Sequence, residues 1–249
     1  TADCLIAVAG ADLSLRVNGW PMSPWAAIAV RRGWLIEFGE RKSGCRAVLA
    51  VAGGIAVPPV LGSRSTCLAG GFGGLAGRPL RAGDRLPVGP SSVDIFGRAG
   101  RRFPRDLLPP YSDSPLVRVV LGPQDDHFTA AGIAVLLSDT YQVGVSSDRM
   151  GCRLQGPAIA HRGPADIISE GIPLGAVQVP ADMQPIVMLA DRQTTGGYPK
   201  IATVIRADIP LLAQCLPGQS QVRFAAVGLE EAQACYRRML RSLQAHLET

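Results

Sequence analysis

Three polar clusters in the chain carry residue types able to do chemistry. The first is "LGSRST" at 61–66. Ser63, Arg64, Ser65 and Thr66, next to Gly62, could offer backbone N–H groups and a guanidinium to a carboxylate or phosphate. The same residues also suit a solvated turn. The second is "SSDRMGCRLQGP" at 146–157. There Asp148, Arg149 and Arg153 would form either a fixed, bidentate-capable charge set or a surface ion pair in a turn. The third is "LADRQTTGGYPKIATVI" at 189–205. It contains Lys200, which with Lys42 makes up all the lysine among 25 basic residues. Asp191, Arg192, Gln193, Thr194 and Thr195 precede a Gly196-Gly197 pair, and Tyr198 follows it. A Gly-Gly hairpin would set Thr195 against Tyr198, or Gln193 against Lys200. Spacing alone leaves this stretch open between an ordinary hairpin and a site.

Other chemistry is absent from the pattern. There is no G-x-x-x-x-G-K-[ST] phosphate loop, no G-x-G-x-x-G entering a helix, no H-E-x-x-H and no G-x-S-x-G elbow. The six cysteines, at 4, 45, 67, 152, 215 and 235, form no C-x-x-C pair and no short Cys/His cluster, so no metal site is expected. Reduced thiols and a cytoplasmic location are the default for such a chain.

The elements that must position these clusters read as mainly β. Gly (29) and Pro (20) are spread through 249 residues without a period, which suits many turns between short strands. Val17-Asn18-Gly19-Trp20 is a two-residue hairpin signal. The Gly-rich run from 58 to 80 reads as a long irregular loop, and residues 90–115, rich in proline, as a linker. The stretch 127–157 reads as a short helix or turn, a strand and a polar loop, and 209–218 as a short helix ended at Pro217-Gly218. Leu229, Ala232, Tyr236, Met239, Leu240, Leu243 and Leu247 recur at helical spacing, with Glu230 and Glu231 in the first turn.

Composition bounds the function. The formal charge of +5 is not blocked into a tail or stripe, and the densest basic clusters are not interleaved with aromatics, which argues against nucleic acid. No apolar run approaches the ~20 residues of a membrane span.

Taken in order, "GGIAVPPVLGSRST…GGFGGLAGRPLRAGDRLPVG", "GPQDDHFT", "SDRMGCRLQGP" and "SEGIPLGAVQVPADMQPIVMLADRQTTGGYPKIATV" resemble the allophanate hydrolase subunit 2 family. That family is also called the biotin-dependent carboxyltransferase family, or the family of the 5-oxoprolinase C-type subunits. The resemblance runs over essentially the whole chain. It implies two cyclophilin-like β-barrels, the first at 1–112 and the second at 113–249 with a C-terminal helix. The family's usual start, a "TVQD-x-GR" strand, is not present, so the first barrel is expected to be incomplete.

The resemblance further implies a partner of the subunit 1 type, also called the B-type partner. With a third subunit, the pair would make an ATP-dependent 5-oxoprolinase that opens 5-oxoproline to glutamate. Two alternatives stand beside it. One is a carboxyltransferase of the urea carboxylase type that uses biotin, whose flat ring the Gly-rich loop would admit. The other is a non-catalytic regulator that antagonises a kinase inhibitor. In the first reading Asp148, Asp191, Tyr198 and Lys200 are the expected catalytic residues. Ser63, Arg64, Ser65, Arg149, Arg153, Gln193, Thr194, Thr195, Gly196 and Gly197 are the expected substrate contacts. No motif marks an ATP site. The chain departs from the family pattern at Cys152 (usually Tyr), Cys67 (usually Asp) and Met183 (usually Gly). Cys152 is therefore expected to remove a phenol from a site loop.

Overall fold

The structure is a computed structural model, and it describes residues 2–247. The chain divides into two compact units. One holds the chain up to residue 42 together with 47–103, and the other holds 43–46 and everything from 104 onward.

The first unit is built from short β elements. Strands β1 (Cys4–Asp12), β4 (Ala27–Val30) and β6 (Ser43–Val51) form a sheet in the order β4-β1-β6. Strands β2 (Arg16–Val17), β3 (Trp20–Pro21) and β5 (Ile36–Glu37) form another, in the order β3-β2-β5. The Asn18-Gly19 signal makes the expected hairpin: Val17 pairs with Trp20, and both turn residues have positive φ. Ile6, Val8, Leu15, Val17, Ile28 and Val30 make the core, with period 2 along each strand. From residue 52 to 92 the chain has turns and isolated bridges only, followed by the four-residue helix α1 (Ile95–Arg98).

The second unit is a closed seven-strand barrel. Its strands are β7 (Leu116–Leu121), β8 (Thr140–Val143), β9 (Gly151–Gln155), β11 (Ala176–Gln178), β12 (Ile186–Met188), β14 (Lys200–Val204) and β15 (Gln221–Ala226), closing in the order β11-β12-β9-β8-β15-β7-β14. Every pairing is antiparallel except β15 with β7. Alternate residues point inward: Val117 and Val119, Tyr141 and Val143, Cys152 and Leu154, Val177 and Val179, Val222 and Phe224. Tyr141 and Phe224 meet at 6.1 Å between ring centroids. A two-stranded ribbon, β10 (Glu170–Gly171) with β13 (Thr195–Gly196), lies outside the barrel order. Helix α2 (Ala130–Ser138) is capped by Thr129, whose Oγ1 accepts from the Gly132 amide at 3.0 Å. Helix α3 (Ile209–Ala213) is short, and α4 (Leu229–Leu247) is the long amphipathic helix expected from the apolar spacing. The observed fold is therefore mainly β, with one closed barrel and a C-terminal helix.

Cys152 is 3% exposed and lies in this barrel core. The substitution thus bears on packing and takes no phenol from a site, because strand alternation turns position 152 inward. Burial pushes the Cys152 thiol up to about 11 and the Cys215 thiol up to about 12. Both therefore keep their protons in the fold where the unfolded chain would lose them. The stability this represents is whole below about pH 8.5 and is lost as pH rises toward 11–12. Denaturant titrations should show a fall in stability beginning near pH 9, and Cys152→Ala with Cys215→Ala should flatten it. An unchanged alkaline slope in that double variant would remove the thiols as the cause.

Met183 sits in the turn after Pro180 with φ of 59°, donating its amide to the Pro180 carbonyl at 2.9 Å. A left-handed residue with a side chain costs about 1–2 kcal/mol over glycine's ease there, offset in part by glycine's chain entropy. Met183→Gly should raise stability by about 0.5–1 kcal/mol in chemical denaturation, and a loss would contradict this account.

Candidate functional site

Lys200 is sealed in the protein at 1% exposure. Where β11 meets β14, Val177 pairs with Ala202 and Gln178 with Lys200, so Ile201 is the extra residue of a bulge. The bulge sets Lys200 opposite Gln178, itself 2% exposed. The Lys200 ammonium reaches Glu170 Oε1 on β10. Gln124 closes the cluster. Its amide donates to the Lys200 carbonyl at 3.1 Å, and its Oε1 accepts from the Lys200 amide at 3.1 Å. Its Nε2 donates to the same Glu170 Oε1. Gln178 Nε2 donates to the Tyr198 carbonyl at 3.2 Å. Beside this cluster, His161 stacks on Phe128 at 4.9 Å and bonds the Val179 carbonyl through Nε2 at 2.9 Å.

The arms around Gly196-Gly197 do not pair with each other. Thr195 and Gly196 pair with Gly171 and Glu170, while Lys200 pairs with Gln178. The facing sets Thr195–Tyr198 and Gln193–Lys200 are thus not formed. Pro199 has no N–H to give to such a ladder, and each arm pairs with another strand instead. The Gly196 position is crowded: a Cβ there would lie 2.6 Å from Ile172 Cδ1. Gly197 accepts from the Ile167 amide at 2.8 Å through its carbonyl.

Asp191 and Arg149 form a bidentate ion pair, Nε to Oδ2 at 2.7 Å and Nη2 to Oδ1 at 3.0 Å. Both side chains are largely exposed, so the pair contributes roughly 1 kcal/mol or less. Asp191 holds the Arg149 guanidinium above its usual range through this hydrogen bond. Asp148 Oδ1 accepts from the amides of Met150 (2.8 Å) and Gly151 (3.1 Å), an Asx turn leading into β9. Arg153 pairs with Ile186, in the strand row that also holds Gln178 and Lys200. Arg149 and Asp191 lie past Gly151 and Met188, toward the other end of those strands. The two polar places are therefore separate. The charged pair Arg149–Asp191 is distinct from the Lys200 cluster.

Ser63, Arg64 and Ser65 belong to the first unit. Val60 and Ser63 exchange backbone hydrogen bonds around Leu61-Gly62, and Arg64 Nε donates to the Val57 carbonyl at 3.0 Å. Arg64 and Ser65 line an open cleft of about 430 Å³ with Gly53, Gly54, Ile55, Ala56, Gly89 and Pro90. The Gly-rich run is folded on itself. A Cβ at Gly73 would sit 2.3 Å from the Ser65 carbonyl oxygen, and one at Gly77 would sit 2.0 Å from that of Gly71. These glycines are required by the loop's own packing. Among the cleft's glycines, Gly53 has φ of 89° and a Cβ position 2.1 Å from the Gly89 oxygen. Gly53→Ala should cost at least about 2 kcal/mol, from strain plus a backbone clash. A thermal melt unchanged within error would contradict the close approach.

Sequence reasoning missed Glu170, Gln124 and Gln178. Each stands inside a quoted family stretch, but none is in a recognisable spacing. Glu170 is the sole acid between Asp166 and Asp182, a faint signal that a buried lysine nearby would need a partner. Among the described residues, no group of three or more His, Cys, Asp and Glu could hold a metal ion. Among the same residues, no helix is long and apolar enough to cross a membrane.

Comparison with known proteins adds to this geometry. The family model "Carboxyltransferase domain, subdomain A and B" matches residues 1–226. The chain is 39% identical over 230 residues to the 5-oxoprolinase C-type subunit of Escherichia coli (strain K12), covering 92% of this chain and 72% of that protein. It is 31% identical over 265 residues to the urea amidolyase of Lachancea kluyveri, covering 99% of this chain and 14% of the relative. The crystal structure of the K. lactis urea amidolyase superposes with a TM-score of 0.88 at 29% identity, over 97% of this chain and 16% of that one.

Proposed function

The chain belongs to the carboxyltransferase-domain family, and on that premise we propose that it is a component of an ATP-dependent 5-oxoprolinase. One observation carries the reading: the 39% identity to a 5-oxoprolinase C-type subunit that extends over 72% of that protein's length. The urea amidolyases share the domain, but the chain spans only 14% of the length of the one from Lachancea kluyveri. The reaction is hydrolytic opening of the 5-oxoproline lactam. Water adds to the ring carbonyl carbon, the C–N bond breaks, and the nitrogen leaves with a proton as the amine of glutamate.

A partner of the subunit 1, or B, type and a further protein complete the assembly, which we place in the cytoplasm. ATP belongs to that assembly. Within this chain no glycine-rich phosphate loop enters a helix, so no step is assigned to ATP here. What the chain offers is polar recognition. In the first unit Arg64 and Ser65 line a cleft sized for a small carboxylate. In the second, the Lys200 cluster and the Arg149–Asp191 pair supply charge, with Tyr198, two residues before Lys200, exposed. Arg153 and Gln193 to Gly197 are proposed as flanking contacts of the same sites. Asp148 acts through the loop it caps.

The 0.88 superposition on the K. lactis urea amidolyase favours a second reading, biotin-dependent carboxyl transfer to urea. One experiment separates the two. The protein is co-expressed with its partner proteins and assayed for ATP hydrolysis that depends on 5-oxoproline. Turnover with 5-oxoproline and none with urea is the expected result. Turnover of urea in a biotin-dependent assay, with none of 5-oxoproline, would replace the first reading by the second. In the active assembly, Arg64→Ala should raise the KM for 5-oxoproline about tenfold or more, as loss of a charged hydrogen bond does. An unchanged KM would remove the cleft from the substrate's path.

A further inference from the structure

The Glu170 carboxylate is held through one oxygen only. Lys200 Nζ and Gln124 Nε2 both donate to Oε1, and Oε2 has no hydrogen-bond partner among the described residues. Two donors on one oxygen fix the rotation of the group. The donors are themselves fixed: Lys200 is buried, and Gln124 grips both the amide and the carbonyl of Lys200. Glu170 is anchored behind by its pairing with Gly196. Its side chain nevertheless remains 44% exposed. The hydrogen bonds from Lys200 and Gln124 keep its carboxyl below the usual carboxylate range, so it is ionised at neutral pH. Lys200, sealed against Glu170, has no open face to offer a soluble anion. The cluster thus presents one aimed, wet, anionic acceptor, which suits an N–H donor and repels a carboxylate.

We propose that Glu170 Oε2 accepts the amide-type N–H of the substrate, and that Lys200 and Gln124 are positioning residues that aim it. The proposal rests on the 5-oxoprolinase reading, in which the lactam carries one ring N–H and its carboxylate must point away from Glu170.

The test compares 5-oxoproline with its lactone isostere, in which ring oxygen replaces N–H at nearly constant shape. Dissociation constants are measured by calorimetry on the assembled complex without ATP, for wild type, Glu170→Ala, Glu170→Gln and Lys200→Met. Wild type should prefer the lactam by roughly ten- to a hundredfold, the effect of one charge-assisted hydrogen bond against an unmatched acceptor. In Glu170→Ala that preference should fall to within about threefold. Lys200→Met should fall between the two, because its carboxylate is present but no longer aimed. Glu170 is half exposed, so these variants should melt near the wild-type temperature, and Glu170→Gln replaces Glu170→Ala if that one fails to fold. A purely structural role would move the melt and leave the lactam preference intact; that result overturns the proposal. If wild type binds urea and not 5-oxoproline, the substrate reading fails on its own. Glu170 is then judged on urea, whose dissociation constant must rise at least about tenfold in Glu170→Ala. A complex that binds none of the three ligands refutes both.

Discussion

Replacing Arg118 by leucine should cost about 3 kcal/mol of folding stability or more, read from urea denaturation midpoints at constant slope. Asp208 is 3% exposed, and Arg118 meets it three ways. Its backbone amide donates to Oδ2 at 2.8 Å, Nε to Oδ2 at 2.9 Å and Nη2 to Oδ1 at 2.6 Å. The fork geometry raises the guanidinium further above its usual range. Removing it leaves a buried carboxylate with one backbone donor, and orphaned buried charge is among the largest costs a single substitution can impose. The second substitution Asp208→Asn should recover about half of the loss. A neutral amide is easier to bury, and its oxygen still accepts from the backbone N–H of residue 118. A deficit under about 1 kcal/mol in Arg118→Leu would show that water reaches Asp208 freely.

Lys200→Glu should be the most damaging change in the second unit, at about 3–5 kcal/mol, because it places a second carboxylate in a sealed site beside Glu170. Lys200→Met should stay within about 1 kcal/mol of wild type. The thioether fills similar volume, no buried charge remains, and the half-exposed Glu170 can take water in place of the ammonium. The same methionine variant should lower kcat/KM of the assembled enzyme at least about tenfold, since the carboxylate is no longer held. The contrast separates two roles. If Lys200→Met unfolds the protein, the ion pair is a structural strut. If it folds and keeps full activity, Lys200 lies outside the functional site.

Much of the architecture was legible because local rules carry it. Asn18-Gly19 turns as expected because both residues tolerate positive φ. The helix Leu229–Leu247 follows its apolar spacing, and the alternation in 117–119 and 222–224 marks strands buried on one face. The candidate site was legible only as a set of polar stretches. Asp148, expected among the catalytic residues, is engaged in its own turn. Lys200, expected on a hairpin arm facing Gln193, is instead a buried partner of Glu170 on β10.

The order of residues was enough to place the protein in its class: β-rich, turn-dense, ending in an amphipathic helix and belonging to a recognisable family. Periodicity, turn chemistry and long motifs are encoded within a few residues of one another, so they survive without any knowledge of the fold. Which polar residues meet was settled by tertiary folding. A one-residue bulge sets Lys200 opposite Gln178, and ribbon pairing brings Glu170 to it. Strand alternation sends Cys152 into the core. Contacts of that kind depend on register between distant strands, and a single residue of slip turns a side chain from one face of a sheet to the other.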